Sequence, residues 1–256
     1  VKEPAVATRK DFNPSQYSAE ELDRIKLEDG IRIHESIKPE IDIFCRNNDL
    51  PPVKPFALVV AKDTTHAGEL MALIKQQNFF NGYYADKVLE IHSNQRGSEK
   101  DENIEKLLSV EDPNNPIEIV IHVNMLKEGW DVTNLYTIIP LRRSASDTLT
   151  EQTIGRGLRL PFGKRMNDEA MDKLYIVSHD KFQEIIEEAN KPESLINTTQ
   201  IISMEDMELP GHQDVVISGN FLEEELEAKR QEIEQSDLED QEKEKQKVVG
   251  IDLVRS

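Results

Sequence analysis

Short apolar runs separated by helically spaced segments set what this chain can fold into. Five stand out: Phe56 to Ala61 (FALVVA), Val88 to His92, Ile117 to Val123 (IEIVIHV), Leu135 to Pro140 (LYTIIP) and Leu174 to Ser178 (LYIVS). Continuous apolar runs of this length mark strands buried on both faces. Between them the spacing turns helical. Thr64 to Gln77 carries Ala67, Leu70, Met71 and Ile74 on one stripe, and Ser98 to Val110 carries Ile104, Leu107 and Leu108. Thr148 to Leu158 and Lys181 to Asn190 read the same way. Strands alternating with helices predict a parallel sheet covered on both faces, joined by right-handed crossovers.

The flanks differ from this middle. Residues 18 to 48 read as helical, opened by a capping box from Ser18 to Glu21. Gly30 and Pro39 interrupt that run and predict two helices rather than one. Leu50 to Pro55 is a proline-rich connector. After Lys191-Pro192, Thr199 to Met204 and Val215 to Ser218 suit short strands. Phe221 to Lys247 suits a charge-dense helix whose heptad is not sustained. The expected division is an N-terminal helical segment and connector (1–55), a sheet domain (56–190) and a C-terminal extension (191–256). No internal repeat is visible. The chain does not begin with Met, which suggests a piece of a longer protein.

The chain holds a single cysteine, Cys45, so no disulfide can form within it; a reducing, cytoplasmic setting is expected. Six scattered histidines lack the spacing of a zinc site, and no metal role is assigned. No apolar run approaches the ~18 residues of a membrane span, and the first ten residues have no apolar core like that of a signal peptide. The formal net charge of −19 argues against a general nucleic-acid binder. Its distribution is uneven. Lys127, Arg142, Arg143, Arg156, Arg159, Lys164 and Arg165 make residues 119–166 a basic island, opposed there only by Glu128, Asp131, Asp147 and Glu151.

That island contains the two groups that carry chemistry. Glu128-Gly129-Trp130-Asp131 follows a buried strand, where open parallel sheets bind ligands beyond the strands' carboxyl ends. Gly129 lets backbone approach a ligand, and Asp131 can accept from a ribose or orient an arginine. Trp130 suits burial against the sheet better than stacking on a base. Gln152-Thr153-Ile154-Gly155-Arg156-Gly157-Leu158-Arg159 is the second group. On a helix, Gln152, Arg156 and Arg159 share one face. A guanidinium is a fixed fork of donors for phosphate oxygens. A lone arginine is most often a surface ion pair. Four fixed positions, Q, G, R and R, match by chance in roughly one chain of this length in several hundred.

The run Q-x-x-G-R-x-x-R resembles motif VI of superfamily 2 helicases, and E-G-W-D resembles their motif V. FALVVAKDTTHAGEL is similar to their motif IV region. The combination LKEGWDVTN with EQTIGRGLRLPFGKR most resembles the Res, or motor, subunit of type III restriction enzymes. The resemblance covers roughly residues 18 to 190. It implies an α/β, RecA-like parallel sheet with helices on both faces, here with an N-terminal helical segment and a charged C-terminal helical extension. It implies the second RecA-like half of an ATP-dependent DNA translocase. Arg156 and Arg159 are then catalytic fingers reaching a nucleotide across an interdomain cleft. Gln152, Gly155, Gly129 and Asp131 bind or couple to that nucleotide. Lys62, Ser93 and Asn124 lie where relatives touch nucleic-acid phosphates. ATP with Mg²⁺ is the implied cofactor. DNA, a first RecA-like domain and a modification methyltransferase are the implied partners.

Thr153 stands where many relatives have an arginine, which removes that position from the carried-over set. No G-x-x-x-x-G-K-[S/T] loop occurs, and no Asp-Glu pair follows a strand. This chain alone is therefore not expected to hydrolyse ATP, although the whole protein is expected to be an ATP-hydrolysing helicase and type III endonuclease. Glu227-Ala228-Lys229, with Asp214 upstream, fits a nuclease E-x-K triplet, but so charged a segment generates such triplets by composition. Two other functions fit the same residues: another superfamily 2 DNA or RNA helicase, and a non-catalytic RecA-like interaction module.

Overall fold

The computed structural model describes residues 1–10, 12–92, 97–123, 131–141, 154–155, 157–179 and 200–207, with residues 97–100 described by backbone alone. Val1–Pro210 forms one compact unit; a second, Gly211–Ser256, lies outside the described residues. Seven strands are described: β1 (Glu3–Thr8), β2 (Phe56–Val60), β3 (Val88–His92), β4 (Ile119–Val123), β5 (Leu135–Pro140), β6 (Lys173–Val177) and β7 (Gln200–Ser203). They form one sheet in the order β3-β4-β2-β5-β6-β1-β7. Every pairing is parallel. The helices are α1 (Ala19–Asn47), α2 (Thr64–Ile74), α3 (Gly97–Leu108) and the short α4 (Glu169–Asp172). The α/β class and parallel sheet expected of a RecA-like domain are therefore observed.

The strand order explains which face each helix covers. From β1 to β2 to β3 the chain moves one way across the sheet. From β3 through β4 and β5 to β6 it moves the other way. With crossovers of one hand, the two sets of connections must lie on opposite faces. The core divides accordingly. One cluster joins α1 and α2 residues (Ile33, Ile37, Ile41, Ala67, Leu70) to Val59, Ile121 and Ile139. The other joins Leu107 of α3, Ile154 and Leu158 to Leu58, Val120 and Ile138. Neighbouring residues such as Val59 and Leu58 thus feed opposite cores, the two-residue period of a strand buried on both sides. Every residue of β2, β4 and β6 is buried, whereas β7 at the edge is not.

Two flank expectations are corrected. The segment before α1 supplies β1, which lies inside the sheet between β6 and β7. Its sequence, EPAVAT, gives little strand signal, because alanine and proline are poor strand formers. Pro4 sits near the start of the strand, where a missing N–H is best tolerated. The helix expected to break is continuous from Ala19 to Asn47, opened by the anticipated capping box at Ser18 and Glu21. Pro39 deprives the Glu35 carbonyl of its helical donor. Buried Ile33, Ile37, Ile41 and Cys45 hold the helix on the sheet across that defect. Tertiary burial outweighs the local propensity.

Gly30 has a packing reason rather than a breaking one. A methyl group there would overlap the Ile139 side chain and meet Val177 at 3.3 Å. Alanine at position 30 is therefore expected to destabilise by about 1–3 kcal/mol despite its better helix propensity. Thermal unfolding of Gly30→Ala measures this, and adding Ile139→Val should recover part of the loss. A gain in midpoint from Gly30→Ala alone would refute the close-packing account.

Two buried ionic clusters tie α1 to the sheet. Before β4, the Glu118 carboxylate receives Lys38 Nζ at 2.7 Å, Lys87 Nζ at 3.0 Å and the Tyr83 hydroxyl at 3.2 Å. His34, fully buried, stands 3.5 Å away. At the opposite edge, Asp29 accepts from Arg9 Nε at 2.6 Å and Nη2 at 2.8 Å, with His179 Nε2 at 2.8 Å.

Candidate functional site

The segment 131–134 enters β5 and is held from two sides. Glu111, following α3, accepts the backbone N–H groups of Thr133 and Asn134, the latter at 2.6 Å. Just ahead of β1, Lys2 donates its amine to the carbonyls of Thr133 at 2.6 Å and Leu135 at 2.7 Å. Asn134 O also takes the N–H of Phe56 at the start of β2, at 3.1 Å. Asp131 therefore reaches the amino edge of the sheet. The sequence reading placed its motif beyond the carboxyl ends. That holds only for where the β4–β5 connection starts, because a parallel crossover must return across the sheet.

Residues 154, 155 and 157 are helical, and Leu158 N–H donates to Ile154 O at 3.0 Å. Ile154 and Leu158 sink into the second core cluster. A Cβ on Gly157 would stand 2.7 Å from Leu174 Cδ2 and 3.4 Å from Leu135 Cδ2, so the turn lies hard on β5 and β6. At Gly155 the same addition would meet nothing within 4 Å; that side is open. The N–H of Lys2 takes the Leu158 carbonyl at 2.6 Å. Arg159 then emerges at the surface and forms an ion pair with Asp131.

The two sequence groups thus meet through one residue of each. The pair brings Asp131 of one group beside Arg159 of the other. Both side chains are exposed, Arg159 at 45% and Asp131 at 72%. Exposed pairs of this kind contribute about 0–1 kcal/mol. Asp131 can therefore aim the guanidinium without locking it. Gln152, Arg156, Gly129, Ser93 and Asn124 lie outside the described residues, as do Trp130, Asp214 and Glu227.

Lys62 sits elsewhere. It follows the carboxyl end of β2, at the opposite edge, at least a strand's length from Asp131, or roughly 16 Å. Its amine is already paired with Asp23 of α1. Lys62 N–H donates to His66 Nδ1 at 3.2 Å, which leaves the proton of a neutral His66 on Nε2, 3.3 Å from the same carboxylate. Burial pushes the Asp23 carboxyl up, but His66 and Lys62 together hold it below its ordinary value. The sequence reading found Lys62 and missed the Asp23 that neutralises it. It also missed Lys2 and Glu111, whose partners are backbone groups more than twenty residues away. Among the described residues, no group of three or more His, Cys, Asp or Glu is placed to hold a metal. No helix there is long and apolar enough to cross a membrane.

No family model matches the chain. Over 117 residues it is 36% identical to the Res subunit of the type III restriction-modification enzyme EcoPI of Escherichia phage P1, covering 39% of this chain and 12% of that protein. Part of this chain is homologous to type III Res subunits. The EcoP15I Res subunit of Escherichia coli gives 35% identity over a stretch of the same length, again 12% of the relative. The matched region is thus a small part of each curated relative. Among solved structures, Saccharomyces cerevisiae Dbp5 bound to RNA and ADP BeF3 resembles the chain with a TM-score of 0.48 and 13% identity, covering 80% of this chain and 42% of that one. That is a modest likeness of backbone.

Proposed function

We propose that this chain is the second RecA-like half of an ATP-dependent DNA translocase or helicase. The parent protein is then the motor and restriction subunit of a type III restriction-modification system, working with a modification methyltransferase. The observation that carries this reading is the Asp131–Arg159 pair. It joins the ends of the two motif-like groups at one surface point, next to a helical turn packed hard on the sheet.

In this reading the first RecA-like domain holds ATP and Mg²⁺. Arg159, exposed and already aimed by a carboxylate, fits a phosphate-facing role, and Arg156, three residues earlier in the sequence, joins it. Bound ATP supplies the phosphoryl group, and the two guanidinium groups offset the charge developing on it. Gln152, Gly155 and Gly129 couple that site to the nucleic-acid track. Lys62, Ser93 and Asn124 contact DNA phosphates, Lys62 by exchanging Asp23 for a phosphate oxygen. Contacts of this kind position the backbone rather than read bases, so binding should weaken steeply with salt. The test is Arg156→Ala in the intact parent protein, assayed for DNA-stimulated ATP hydrolysis. A large loss is expected; unchanged turnover sinks the finger assignment.

A further inference from the structure

Lys2 has no place in the function just proposed, yet it is one of the most buried residues in the chain, at 1% exposure. A fully buried lysine is rare because its charge must leave water. Lys2 satisfies its amine with two backbone carbonyls, Thr133 O at 2.6 Å and Leu135 O at 2.7 Å. The same amine lies 3.8 Å over the centroid of the Tyr136 ring. Its backbone N–H meanwhile holds Leu158 O at 2.6 Å. One residue therefore grips two segments that are otherwise far apart in the chain. Thr133 is two residues from Asp131, and Leu158 is adjacent to Arg159.

We propose that Lys2 is a positioning residue for the nucleotide-facing pair, fixing the segment that carries Asp131 against the turn that carries Arg159. The inference rests on the functional reading above and adds to it a residue just ahead of β1, outside both motif-like groups. Lys2 touches neither nucleotide nor reacting atoms; it acts through Arg159. Its amine is also poised to titrate. Burial pulls it down to about 7, against the charges of Glu111 and Asp172, which raise it. The groups facing it are Glu111 after α3, Asp172 at the end of α4, and the Tyr136 phenol on β5, itself pushed up by burial. As pH rises through about 7 the amine loses its charge and its grip on the two carbonyls weakens.

The experiment is a double-mutant cycle in the intact parent protein, reading kcat and KM for ATP in the presence of DNA. Lys2→Met keeps the length and removes the donors. It should lower kcat by up to ~5-fold, the limit set by the exposed Asp131–Arg159 pair whose segment it fixes, with little change in KM. In an Arg159→Ala background the same change should cost almost nothing further, because the residue it acts through is gone. A purely structural role would lower both backgrounds alike, and that result overturns the proposal. So does an unchanged kcat in Lys2→Met alone. If Lys2→Met does not fold, the ratio of wild-type to Arg159→Ala turnover between about pH 6 and about pH 8 decides. It should shrink as pH rises; a constant ratio overturns the proposal. If Arg159→Ala is itself without effect, the functional reading falls, and the cycle shows which of the two has failed.

Discussion

Alanine at Arg159 is expected to lower DNA-stimulated ATP hydrolysis in the parent protein by about 10³-fold or more, with lysine failing to restore it. Arginine fingers in phosphoryl transfer are worth about 10³ to 10⁵ in rate, and 10³ corresponds to ~4 kcal/mol of barrier. Lysine keeps a charge but not the planar fork that spans two phosphate oxygens. The Asp131–Arg159 geometry adds a second expectation that separates aiming from contact. If Asp131 only orients the guanidinium, Asp131→Asn removes an exposed ion pair worth about 0–1 kcal/mol, or up to ~5-fold in rate. The two variants should then differ by at least two orders of magnitude. Equal losses would mean that Asp131 itself touches the nucleotide. Measuring kcat and KM for both variants on one DNA substrate makes the comparison.

The largest expected effect on stability comes from Glu118→Ala. That change removes the carboxylate shared by Lys87 and by Lys38, which keeps Glu35 at 3.1 Å; their side chains are only 26% and 24% exposed and lie beside the fully buried His34. Breaking a buried ionic cluster from one side costs about 3–5 kcal/mol. Urea unfolding at neutral pH should show a midpoint shift of that size, and a shift under ~1 kcal/mol would show that water already solvates the lysines. The cluster also sets an acid limit. Burial pushes the Glu118 carboxyl up, but His34, Lys38 and Lys87 together hold it well below the carboxylate range. A carboxyl depressed in the folded state stabilises above its unfolded value, ~4.3, and loses that contribution as pH falls through the folded value. The intact cluster should therefore weaken progressively below about pH 4. Glu118→Gln, which cannot titrate there, should be less stable at neutral pH and flatter on the acid side. Asp23 and Asp29, both also depressed, leave it a residual slope.

The central strands were readable because burial on both faces forces continuous apolar runs. The expected bounds of β3 and β5 coincide with those observed, and β2, β4 and β6 lie within two residues. β1 escaped because Ala5 and Ala7 fill narrow positions with little apolar surface. Helix α1 was misjudged because Gly30 and Pro39 were weighed by local propensity, when contact with Ile139 and the buried isoleucines decides. The candidate site divides the same way. Asp131 and Arg159 were found because a side chain performing chemistry leaves a residue pattern. Lys2 and Glu111 act on backbone carbonyls and amides, which every residue possesses, so no pattern announces them. Asp23 was missed because its pairing with Lys62 and His66 exists only once α1 lies across the carboxyl end of β2.

The position of β1 has a consequence for how the chain is made. Glu3 pairs with Lys173, and Ala5 pairs with Gln200. β1 must wait for partners about 170 to 195 residues further along, which at ~5–20 residues per second is roughly 10–40 s. Until then β1 has no strand to pair with, and Lys2 has no docked strand to carry it to the carbonyls of Thr133 and Leu135. The sheet therefore closes in its final stage, when β1 enters the slot between β6 and β7. Such long-range pairing is intrinsically slow and exposed to aggregation. That closure also completes the seat of the Asp131–Arg159 pair, so a nascent chain acquires its proposed catalytic surface only once β6 has been made.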